Sequence, residues 1–130
     1  MKILRVSSLL QKAGILEKCK SLGVAAFSPS LAGSEEQIRL AALLAEKSFA
    51  GKSNLAKTME LEFLLWLCGE NDLRKAFAKN DFSPRDFLLV SFGDAGKKAL
   101  LEALSAKERP LSLRKKADAL ELEGISLGRL

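Results

Sequence analysis

NLAKTMELEFLLWLCG, residues 54–69, opens polar and basic, carries two glutamates and ends in a run of apolar side chains. Asn54 or Ser53 supplies an N-cap and Gly69 a C-terminal stop, so the spacing predicts one helix between them. Leu55, Met59, Phe63 and Trp66 form one seam, while Leu61, Leu64, Leu65 and Leu67 cover most of the remainder. A helix apolar nearly all round is covered on several sides, which places this one at the centre of a core. Glu60 and Glu62 stand two apart and project about 200° from one another, so they do not form a carboxylate pair. The uninterrupted apolar run, Phe63 to Cys68, falls far short of the roughly 20 residues that cross a bilayer.

Working outward, Met1–Leu10 alternates loosely and reads as a strand. Gln11–Leu22 reads as a helix ended by Gly23, and Val24–Phe27 as a short strand running into the Ser28-Pro29-Ser30 turn. Ser34-Glu35-Glu36-Gln37 is a capping box with acidic residues at the positive end of the helix dipole. The helix it opens runs to about Phe49. Ile38, Ala41, Ala42, Ala45 and Phe49 make one apolar stripe, and Leu40, Leu43 and Leu44 a second flank wider than one packing contact needs. Beyond Gly69, a short helix runs from Asn71-Asp72 to Asn80. Asp86–Phe92 (DFLLVSF) reads as a strand buried on both faces. A helix then follows Gly93-Asp94 to about Lys107, with Asp94 as its cap, Pro110 breaks the chain, and Ala119–Leu127 is expected as a last strand. The sum is an α+β fold: one compact domain, residues 1–130, with a small, largely antiparallel central sheet of about four strands and about five helices.

Composition narrows the chemistry. A length of 130 residues fits one domain on a scale of about one per ~150 residues. The formal charge of +5, from 21 Lys and Arg against 16 Asp and Glu, is compatible with an anionic partner such as RNA. There is no histidine, which removes imidazole as a base, a proton shuttle and a metal ligand. Cys19 and Cys68 cannot make a thiolate zinc site alone and stand in no CxxC pair, so both are expected reduced and buried. The N-terminus lacks a clean apolar signal region, and a cytoplasmic location is expected.

Individual motifs carry little catalytic promise. Gly51-Lys52-Ser53 imitates the end of a phosphate-binding loop, but Glu46 stands where the first glycine belongs and a helix precedes it. Serine, threonine, cysteine and lysine nucleophiles are present without the usual activating base. No enzyme, cofactor, metal or small-molecule substrate is therefore expected. The cations fall into three groups: Lys52 with Lys57, then Arg74, Lys75 and Lys79, then Arg114, Lys115 and Lys116. Each group suits a solvated face, and together they suit a groove that tracks phosphates. With one Trp and no Tyr, sequence readout by stacked bases is not expected.

NLAKTMELEFLLWLCGENDLRKAF, followed by DFLLVSFGD, resembles the kinase-binding subunit of the KEOPS complex, the PRPK-binding protein family, of archaeal type. The likeness centres on Asn54, Leu55, Ala56, Lys57, Glu60, Glu62, Leu64, Leu65 and Gly69. SEEQIRLAALLAEKSFAGK resembles the family's upstream helix and ALELEGISLGRL its closing strand, so the likeness extends from about Ser34 onward. Two places depart from the family's pattern: Ser28-Pro29-Ser30 stands where an aspartate is common, and Pro110–Asp118 is short where relatives hold a further helix.

The resemblance implies a noncatalytic regulatory subunit. It would dock on and stimulate a small atypical kinase, and hold the single-stranded CCA end of tRNA during threonylcarbamoyladenosine modification. For RNA, the expected residues are Lys52, Asn54 and Lys57, because a helix entrance with two cations and an amide suits a phosphate or a flipped nucleotide. For the kinase, they are Leu40, Leu43 and Leu44, the surplus flank. A protein-only adaptor without RNA contact, and a small enzyme with an unrecognised active site, are the alternatives.

Overall fold

The computed structural model describes residues 2–93, 96–111 and 125. In chain order the elements are β1 (Lys2–Ser8), α1 (Lys12–Leu22), β2 (Val24–Phe27), a 3-10 turn (Pro29–Leu31), α2 (Glu35–Ala50), α3 (Met59–Cys68), α4 (Leu73–Lys79), β3 (Phe87–Ser91), α5 (Lys97–Ala103) and β4 (Ala106–Arg109). The fold is α+β, with five helices and an antiparallel four-stranded sheet in the order β2-β3-β1-β4 among the described residues. The chain divides into two units, residues 1–29 with 82–112 and residues 30–81 with 113–130.

The first unit holds the sheet. β1 alternates, burying Leu4, Val6 and Ser8, while β2 and β3 are buried at every position. That contrast follows from the sequence, since Val24–Phe27 and Phe87–Val90 are apolar throughout and Lys2–Ser8 is not. The core gathers Val6, Ile15, Val24, Phe87, Leu89, Leu100 and Leu104. Gly23, at φ 69°, ends α1 in the left-handed region and turns the chain into β2. Buried Ser8 is fully paired: its Oγ donates to the Leu104 carbonyl at 2.6 Å and accepts from Leu10 N–H at 3.0 Å. Arg5 clamps Asp86 with two hydrogen bonds of 2.8 Å. That bidentate contact holds the Asp86 carboxyl below its ordinary range.

The second unit packs α2 against α3 and α3 against α4. The capping box at Ser34 forms with one change: Ser34 Oγ accepts from Gln37 N–H at 3.2 Å, and Gln37 Oε1 reaches back to Gly33 N–H at 2.7 Å. Ile38, Ala41, Ala42 and Ala45 are the buried stripe of α2, as their spacing predicts. The Trp66 indole donates to Ser48 Oγ at 3.0 Å, and Ser48 in turn donates to the Leu44 carbonyl, so one polar chain ties α3 to the last turns of α2. Cys19 and Cys68 are both free and buried. Burial pushes the Cys68 thiol up to about 11.

Three expected boundaries are corrected. The central helix starts at Met59 rather than near Asn54, with Thr58 as N-cap. Helix α5 ends at Ala103 rather than Lys107, because Ser105 turns at φ 48° and Ala106–Arg109 pairs with Arg5–Ser8 as β4. Its N-cap is Gly96, while Asp94 lies outside the described residues. The expected strand over Ala119–Leu127 lies outside them too, except Ile125, which is helical and buried.

Candidate nucleic-acid interface

Lys52, Asn54 and Lys57 all lie in the connection between α2 and α3, residues 51–58. Helix α2 closes with both bonds of a Schellman motif: Ser53 N–H donates to the Ser48 carbonyl at 2.8 Å, and Lys52 N–H to the Phe49 carbonyl at 3.2 Å. In that motif the left-handed position is usually glycine. Here Gly51 sits one residue early at φ −87°, and Lys52 takes the left-handed position at φ 57°. A side chain in this region strains the backbone by roughly 1–2 kcal/mol. Lys52→Gly should therefore be more stable than Lys52→Ala by about 1 kcal/mol, since both remove the cation and only one removes the strain. Thermal unfolding of the two variants checks this, and equal stabilities would rule out a strained Lys52.

Past Lys52 the chain is held from below. The Asn54 amide donates to the Ala56 carbonyl at 2.8 Å, folding the loop on itself. Glu62, fully buried one turn into α3, turns its carboxyl back under the loop. Its Oε1 accepts from Leu55 N–H at 2.9 Å and from Ala56 N–H at 3.1 Å. Leu55 and Ala56 thus give their N–H groups to Glu62, and residues 55–58 form a bent loop that ends at the extended N-cap Thr58. Ala56 is buried, and its neighbour Leu55 is 55% exposed. The sequence places Lys52, Asn54 and Lys57 at a helix entrance; the structure places them on a clamped loop before it. Thr58 Oγ1, at the N-cap, is buried without a hydrogen-bond partner.

Lys52 and Lys57 are exposed and have no ion-pair partner among the described residues, and Asn54 is half-buried. The second cation group is less available. Lys79 pairs with Glu70 at 2.8 Å and donates to the Cys68 carbonyl at 3.0 Å, which leaves Arg74 and Lys75 exposed on α4. Arg114, Lys115 and Lys116 lie outside the described residues. On α2, Leu43 is 46% exposed and Leu40 and Leu44 are half-buried, so the surplus flank stays partly in solvent. Among the described residues no group of acidic residues and cysteines is arranged to hold a metal, and no helix is long and apolar enough to cross a membrane.

The role of Glu62 as anchor of the loop is what sequence reasoning missed. Its signal was available, because a helix covered on all sides has no exposed face on which to place a glutamate. No known family model matches the chain, and no curated protein matches it.

Proposed function

We propose that this protein is a noncatalytic regulatory subunit of the archaeal KEOPS type. In this reading it docks on a small atypical kinase through Leu40, Leu43 and Leu44 and holds the 3′ CCA end of tRNA with Lys52, Asn54 and Lys57, in the cytoplasm. What carries the reading is the loop itself: two lysines with no ion pair among the described residues flank an amide on a backbone that Glu62 fixes from beneath. A buried clamp under an exposed cationic loop preorganises it, so less ordering entropy is lost when an anionic strand binds. The strained backbone at Lys52 points the same way, since left-handed non-glycine residues cluster where a side chain is needed for function. Half-exposed leucines on one helix face suit a protein partner.

The test is binding of the whole protein to full-length tRNA and to tRNA trimmed of its CCA end, across a salt series. Tighter binding to the intact end, by about tenfold or more, is the expected result, because phosphate and hydrogen-bond contacts to three terminal nucleotides are lost on trimming. Equal, weak binding to both that vanishes with salt would reduce the RNA contact to charge attraction and leave a protein-docking adaptor.

A further inference from the structure

Among the described residues, the outer edge of the sheet combines a strand unpaired on one side with an apolar cavity, apart from the loop of the RNA reading. β4 ends the sheet order among the described residues, with β1 on its inner side. Leu9 N–H donates to the Ser105 carbonyl at 3.1 Å, which sets the phase of the ladder. With Ser7 opposite Lys107 and Arg5 opposite Arg109, these two pairs exchange backbone bonds with β1. Ala106 and Glu108 then turn their N–H and C=O groups outward, away from the sheet. Beside this edge lies a cavity of about 750 Å³ bounded by α5, β4 and the end of β1. Leu9, Leu101 and Ala106 make it apolar, while Lys97, Lys98 and Lys107 outnumber Glu102 around it. Leu9 is 79% exposed. Lys97 pairs with Glu108, and Lys98 and Lys107 have no ion-pair partner among the described residues.

We propose that this edge binds an extended, acidic segment of a partner protein, which adds to β4 as a fifth strand and places alternate apolar side chains in the cavity. A peptide backbone is the ligand that supplies donors and acceptors at strand spacing for Ala106 and Glu108 together. Acidic flanks match Lys98 and Lys107, which have no ion pair among the described residues. A second copy of β4 fits poorly. If Ala106 of one copy lies opposite Glu108 of the other, Lys107 meets its own counterpart; if Glu108 meets itself, Lys107 faces Arg109. Both registers oppose cation to cation, which is destabilising in an antiparallel pair. The third, Ala106 opposite itself, sets Lys107 against Ser105 and joins the strands at one pair alone.

The probe is a fluorescein-labelled, end-blocked peptide of alternating glutamate and valine, titrated into the whole protein by anisotropy. Saturable binding is expected, weakened at least about tenfold when alternate amides are N-methylated and likewise when lysines replace the glutamates. Glu108→Pro removes one outward N–H, a change that edge strands tolerate, and should weaken binding similarly, whereas Glu108→Ala should not. Amide exchange in the unsubstituted protein supplies a second readout. The peptide should protect Ala106 and Glu108 and leave Lys107 and Arg109, already bonded to β1, unchanged. The proposal is overturned by absence of saturable binding up to about 1 mM peptide, by equal binding of the N-methylated peptide, or by protection without alternation. Self-association of the protein that Glu108→Pro abolishes would assign the edge to a second copy instead.

Discussion

Replacing Glu62 by leucine is expected to destabilise the protein by about 3 kcal/mol, because two backbone N–H groups lose a carboxylate acceptor and that of Ala56 is buried. Leucine fills most of the same volume, so the loss reports the missing acceptor rather than a cavity. At this chain length such a loss lowers the melting temperature by roughly 10 °C. Glu62→Gln keeps an oxygen that can accept from Leu55 and Ala56 and should recover more than half of the loss. Amide exchange adds a local readout. Leu55 and Ala56, protected by Glu62 Oε1, should exchange far faster in the leucine variant, while the β3 amides of Phe87–Ser91 keep their order of protection. A leucine variant within about 1 kcal/mol of the parent, with slow exchange at Ala56, would refute Glu62 as the clamp of the loop.

The clamp also shows where sequence reasoning succeeded and where it stopped. Elements with strong local signals were legible: β2 and β3 from continuous apolar runs, α1 from Ile15, Leu16 and Cys19 before Gly23 (of which Leu16 is exposed), and α2 from Ser34, Gln37 and its alanine stripe. Boundaries set by distant partners were not. Asn54 is a good cap by residue type, yet its amide bonds Ala56, and Glu62 takes the N–H groups that a helix start would have left free. Ala106–Arg109 has one apolar residue in four and no strand pattern of its own; it is a strand because β1 offers it an unpaired edge. Lys52 was visible as a cation, but its left-handed backbone was not, since Gly51 beside it is the residue that propensity assigns to that position. The proposed RNA contacts were thus chosen by residue type alone, while the device that orders their loop is tertiary.

That device makes the second large effect separable from the first. Lys52→Glu combined with Lys57→Glu reverses two exposed charges that make no ion pair among the described residues, so its stability should stay within about 1 kcal/mol of the parent. Affinity for intact tRNA should nevertheless fall on the order of a hundredfold at low salt, because two attractive phosphate contacts become repulsive ones. The neutral pair, Lys52→Gln with Lys57→Gln, gives a quantitative check. Each lost contact with a single strand removes about 0.7 from the slope of log K against log salt, so the slope should flatten by about 1.4. Preference for the intact CCA end should shrink in both double variants, and Arg74→Gln with Lys75→Gln on α4 should leave that preference in place. Glu62→Leu provides the contrast: it keeps both lysines and hence the slope, yet should weaken CCA binding because the loop that carries them is no longer ordered. A charge-reversed protein that still prefers the intact end would move the RNA site away from residues 52–57. A flattened slope with unchanged preference would make these lysines general phosphate contacts and leave the recognition of the terminal nucleotides to other residues.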